Sequence, residues 1–196
     1  RTSSIVFYDL EGNETDISGV QADAGMPFWS LNGNMIGWLS PDGNLQEHNF
    51  TGEAGAVYYV KNNNLFINEN GAERILNPVE GMILFVDYSP DNSRAAISIA
   101  GKGVFVYEIE TGSLYDFGTG EYPSWINNEK LLLMEVQDDG HQIINSEILL
   151  YNFDGTLISN LTQEFDAPAL YPSANSEGKI VFNTLDGKVY RMTLKI

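Results

Sequence analysis

The chain contains no cysteine. That excludes disulfides, thiolate-bound metals and cysteine nucleophiles together. Basic residues are scarce: 10 Lys+Arg stand against 27 Asp+Glu in 196 residues, a formal charge of −17 and an isoelectric point of about 4.2. A field of that sign repels nucleic-acid phosphates and anionic lipid headgroups, so neither is an expected partner. No apolar run exceeds about five residues, Met82 to Val86 being one, against roughly 20 for a helical membrane span. No membrane span is expected. Enzyme signatures are missing as well. The chain has no Gly-x-Ser-x-Gly elbow, no Gly-x-x-x-x-Gly-Lys phosphate loop, no Gly-x-Gly-x-x-Gly opening a helix and no His-Glu-x-x-His. Neither a catalytic group nor a cofactor is assigned on these residues.

What is present is enough apolar material for a core: 43% of residues are hydrophobic and 12% aromatic, with only 19% charged. Helical spacing is hard to find over any window. Short runs such as Ile5 to Tyr8, Val57 to Val60, Val104 to Tyr107 and Ile148 to Tyr151 are β-branched or aromatic and continuous, the pattern of strands buried on both faces. Between them stand pairs such as Asp42-Gly43, Asp154-Gly155 and Asp186-Gly187, which read as hairpin turns. The fold class is all-β.

A unit recurs four times. The segments beginning at Pro27, Val86, Pro123 and Pro172 align without gaps, and each leads through a turn into an apolar strand starting at Met35, Arg94, Leu131 or Ile180. Further on, a second strand ends in a turn residue, as in Leu65 to Gly71 and Val104 to Gly112. The spacings bracket the roughly 40 to 50 residues of a four-stranded propeller blade. On this reading Trp29, Tyr88 and Trp125 stand on innermost strands and wedge between neighbouring blades.

The residues Pro123-Ser124-Trp125, Tyr88-Ser89-Pro90-Asp91, Glu177 to Phe182 and Ile148 to Gly155 running to Asn160-Leu161-Thr162 resemble the WD40-like (PD40) repeat of TolB-type β-propellers. No copy is complete: Asn127-Asn128 replaces Pro-Asp, and Ala174 stands where the aromatic would be. The resemblance implies a single propeller domain over residues 1–196 with four-stranded antiparallel blades. About five blades are expected, or part of a larger ring incomplete at the N-terminus. It also implies a non-catalytic module of an exported bacterial protein, periplasmic or at the cell surface, that binds a protein or peptide. The alternative it carries is the propeller of an enzyme, either the accessory domain of a prolyl-oligopeptidase-like peptidase or a metal-dependent polysaccharide lyase. Both ends of the chain resemble a third strand of a blade. Pairing of Ile5 to Leu10 with Val189 to Thr193 would close the ring; upstream blades outside the chain are the other reading.

Function in such a scaffold belongs to loops that exceed the repeat minimum. Two are expected, Ser40 to Asn64 and Gln137 to Glu147. They hold both histidines of the chain beside carboxylates, so the candidate binding residues are Asp42, Glu47, His48, Asp138, Asp139 and His141. Imidazole with carboxylate is a competent metal-ligand set, yet polar loops on an acidic surface carry these residues by composition alone, and no metal site is assigned.

Overall fold

The computed structural model describes residues 5–8, 11–16, 27–30, 33–52, 55–69 and 71–194. Backbone contacts divide the chain into two compact units, Arg1–Asn77 and Pro78–Ile196. Every strand ladder among the described residues is antiparallel, and every sheet is open.

In the first unit, β1 (Val6–Tyr8) pairs with β2 (Glu14–Asp16). A second sheet runs β3 (Phe28–Trp29), β4 (Met35–Leu39), β5 (Leu45–Asn49). A third runs β6 (Ala56–Lys61), β7 (Asn64–Glu69), β8 (Ala72–Ile75). Asn62 and Asn63, both at positive φ (49° and 62°), turn β6 into β7, the conformation a two-residue hairpin of matching twist requires. The core here is Met35, Val57, Tyr59 and Phe66, with Phe28 stacked on Tyr59 at 5.5 Å.

The second unit holds three sheets. The first has the order β12 (Leu114–Asp116), β11 (Gly103–Glu108), β10 (Arg94–Ile99), β9 (Ile83–Tyr88). The second is β13 (Glu121–Trp125), β14 (Lys130–Asp138), β15 (Ile143–Asn152), β16 (Leu157–Asn160). The third is β17 (Leu170–Ala174), β18 (Lys179–Asn183), β19 (Val189–Thr193). In each, the strand that comes first in the chain lies at one edge, and β13 is in contact with both β9 and β17.

The middle strands are buried on both faces, as their continuous apolar runs dictate. Leu131 and Leu133 pack with Ala96, Val104, Val106 and Trp125 on one side. Leu132, with Ile148 and Leu150, packs against Ile180 and Phe182 on the other. The repeated turns are built alike. Ser89 N–H donates to the Arg94 carbonyl at 3.0 Å, Arg94 N–H donates to Ser89 Oγ at 3.0 Å, and Asn92 N–H donates to the Ser89 carbonyl. Ser30, Gly33 and Met35 repeat all three bonds.

Three expectations are corrected. Ser40 to Asn64 is not an inserted loop: Ser40 to Asn44 is a tight turn, and the β-branched and aromatic run from Val57 makes β6 of a separate sheet. The long spacing after Pro27 therefore accommodates two sheets, and Leu65 to Gly71 belongs to the second of them. Gln137 to Glu147 is largely strand, since β14 and β15 continue to Asp138 and from Ile143; extending the ladder satisfies backbone groups that a loop would leave to water. Trp29 does not fill a gap. It is 53% exposed and lies 6.0 Å from Phe50, because β3 is only two residues long. Within its own unit each terminal strand has a partner, β2 for β1 and β18 for β19; Asp9 and Leu10 of the expected terminal pairing lie outside the described residues.

Candidate functional site

The six candidate residues fall three to each unit, Asp42, Glu47 and His48 in the first and Asp138, Asp139 and His141 in the second. Asp42 sits in the β4–β5 turn, where Ser40 Oγ and Asn44 Nδ2 donate to its carboxylate. Donation from Ser40, the largest effect, holds its pKa below the usual carboxylate value. Glu47 and His48 are successive residues of β5, and successive strand residues point to opposite faces. His48 lies edge-on to Phe50 at 4.7 Å. Glu47 borders a small recess of about 230 Å³ with Asn49, Asn68 and Gly71.

In the second unit Asp138, Asp139 and His141 occupy the tip of the β14–β15 hairpin. Asp138 Oδ1 accepts from Gly140 N–H at 2.8 Å. Asp139 Oδ1 accepts from His141 and Gln142 N–H, both at 2.9 Å, and these bonds, Gln142's first, lower its pKa. Asp139 is thus a turn former. Asp138 and His141, by contrast, line a cleft. Among the described residues, no group of three or more His, Asp or Glu side chains is placed to hold a metal ion.

That cleft, about 360 Å³, is bounded by the hairpin on one side and by Glu121, Tyr122 and Tyr171 on the other. A smaller recess of about 120 Å³, lined by Leu84, Phe85, Ser98, Glu121 and Tyr122, adjoins it and shares Glu121 and Tyr122. Neither contains a lysine or arginine.

The two tyrosines are the feature that sequence reasoning missed. Both precede a proline on the first strand of a sheet, and both have positive φ, 47° at Tyr122 and 53° at Tyr171. A bulky residue in that region is an outlier, and strain of this kind costs about 1–3 kcal/mol and persists only where the surroundings enforce it. Here the ladders slip. The β13–β14 register shifts between Glu121 and Ser124, and the β17–β18 register shifts between Leu170 and Ser173. Each tyrosine is thereby lifted out of the sheet. Tyr171 N–H donates to Met134 Sδ at 3.3 Å, which anchors the second bulge to β14.

The strain is not compensated by burial, for Tyr122 is 41% and Tyr171 46% exposed. Their rings meet edge-to-face at 4.7 Å, and Phe85 of β9, 43% exposed, follows 6.4 Å from Tyr122. Three successive sheets thus present one aromatic each along a single line. Desolvation, chiefly, and the neighbouring Tyr171 and Glu121 raise the Tyr122 pKa, so its hydroxyl stays protonated and uncharged at neutral pH. The recurrence of Tyr-Pro-Ser at 122 and 171 was the one signal of it in the sequence.

Behind this line the sheets are locked together. Trp125, 5% exposed, donates its backbone N–H to Asp87 Oδ2 at 3.0 Å and its indole N–H to the Asp87 carbonyl at 3.2 Å. Arg94 binds Glu108, donates Nη1–H to the Asn128 carbonyl at 2.8 Å and stacks on Phe153 at 3.8 Å.

No known family model matches the chain, and no curated protein matches it. Among 348 solved chains that resemble it, one is a WD40-type propeller from a crystal structure of a mitotic checkpoint complex. The similarity has a TM-score of 0.53 at 14% identity, covering 86% of this chain and 46% of that one. The chain therefore spans less than half the length of this neighbour. At such identity the likeness is one of fold, an all-β propeller-like arrangement of antiparallel sheets.

Proposed function

We propose that this chain is a β-propeller module, of about five blades or part of a larger ring, that binds a protein or peptide without catalysing a reaction. The observation that carries the reading is the exposed line of Phe85, Tyr122 and Tyr171 beside a cleft. Backbone strain is held here at two tyrosines that stay 41% and 46% exposed, and strain of that kind clusters at ligand sites. Exposed aromatic side chains with few torsions are the usual anchors of protein interfaces. Propeller-like folds in complexes, the mitotic checkpoint neighbour among them, are compatible with this use. The TolB-type repeat resemblance adds an exported bacterial setting to the proposal.

The test is selection of peptides from a random display library on the wild-type protein and on a Tyr122→Ser/Tyr171→Ser variant with unchanged circular dichroism. Sequence-convergent enrichment is expected on the wild type and should be lost on the variant. Equal enrichment on both, or none on the wild type, would overturn the reading.

A further inference from the structure

The two recesses differ in chemistry although they share a wall. The smaller is lined by Leu84 and Phe85, both exposed apolar side chains, with Ser98 behind them. The larger offers the two tyrosine rings together with the carboxylates of Glu121 and Asp138. No basic side chain lines either one, in a chain of charge −17. An aromatic face attracts a cation through its quadrupole, and adjacent carboxylates add to that attraction where no lysine or arginine competes.

The recesses adjoin through Glu121 and Tyr122, and the spacing of the rings that line them carries information. The Phe85 and Tyr122 ring centroids are 6.4 Å apart. Alternate side chains of an extended strand, which leave the same face, stand about 7 Å apart.

We infer, on the premise that the cleft binds peptides, that it selects an extended segment carrying an apolar residue and, two positions away, a lysine or arginine. The apolar side chain enters the Leu84–Phe85 recess. The cationic one lies against Tyr122 and Tyr171 between Glu121 and Asp138.

Fluorescence anisotropy with a labelled Ser/Gly hexapeptide bearing Leu and Lys two residues apart tests this, beside the same peptide with Gln or Glu in place of Lys. The expected order is Lys, then Gln, then Glu, with about a fivefold step from Lys to Gln, the scale of an exposed cation–aromatic contact. The pair Glu121→Gln/Asp138→Asn should weaken the Lys peptide by a similar factor. Asn at 138 keeps the acceptor that Gly140 uses. The control pair Glu110→Gln/Glu164→Gln removes the same charge from exposed residues outside the cleft and should change affinity less than twofold.

Equal weakening by both pairs would assign the binding to the overall field and overturn the inference. So would equal affinity for the Lys, Gln and Glu peptides; if that affinity were lost in the Tyr122→Ser/Tyr171→Ser variant, peptide binding at the cleft would stand without the cationic preference. Failure of all three peptides to bind overturns the inference too, and the library selection then decides the broader reading.

Discussion

Trp125 and Tyr122 lie on the same short strand and do opposite things. Trp125 is buried among Ala96, Val104, Leu131 and Leu133 and tied to Asp87 by two donated hydrogen bonds. Truncating a buried large aromatic costs about 3–5 kcal/mol, so Trp125→Ala should lower stability by that amount in urea unfolding. Tyr122→Gly should shift stability by less than about 1 kcal/mol, because glycine relieves the positive φ and offsets the loss of a half-exposed ring. Asp87 supplies a pH signature. Burial, the dominant cause, raises its pKa above the usual 3.8 despite the amide bonds from Trp125 and Tyr88. A raised folded-state pKa contributes stability that is fully present below the unfolded value and lost as pH rises through the folded one. As pH rises from about 4 through the raised folded-state value, then, the stability difference between wild type and Asp87→Asn should move in favour of the variant, as measured by paired denaturation curves.

At the scale of elements, much was legible. The continuous apolar runs gave β6, β11 and β15, and the Ser-Pro-Asp and Asp-Gly turns gave the hairpins, since those residues form specific local bonds wherever they stand. The first strands beginning near Val86, Pro123 and Pro172 were found by repetition. The β6–β8 sheet was hidden because its turns use Asn62-Asn63 and Gly71 instead of the repeated motif, so one long spacing reads as an insertion. The aromatic line was marked only by the recurrent Tyr-Pro-Ser at 122 and 171, because positive φ at a tyrosine accompanies the register slip of a ladder, which depends on the partner strand as well as on local sequence. Of the six candidate residues, only Asp138 and His141 reach the cleft, and Asp139 misleads because a turn-forming Asp looks like a ligand in sequence. One element-level prediction concerns the end of the β11–β12 pair where β11 begins and the chain leaves β12. Gly103 has φ of 95°, and a Cβ there would lie 1.6 Å from the Gly118 carbonyl oxygen, which accepts from Val104 N–H. Gly103→Ala should cost at least about 2 kcal/mol, since strained φ alone is worth about 1–3. A thermal midpoint unchanged from wild type would contradict this.

At the scale of the molecule, the antiparallel sheets of two to four strands make a scaffold whose likeness to a WD40-type propeller is a likeness of fold. Charge and shape then divide the labour. On the proposed reading the net charge of −17 biases which partners approach, whereas the strained aromatic line in the second unit is where one would dock. Trp29, Phe50 and His48 of the first unit form a second aromatic group, but none of the three has a positive φ. Recognition is therefore proposed at Phe85, Tyr122 and Tyr171. Amide chemical-shift mapping of the labelled protein, titrated with the Leu/Lys hexapeptide, tests that assignment most directly. It should show perturbations centred on residues 84–85, 121–122, 138–141 and 171, whereas shifts centred on residues 29 and 48–50, or scattered across the acidic surface, would contradict it.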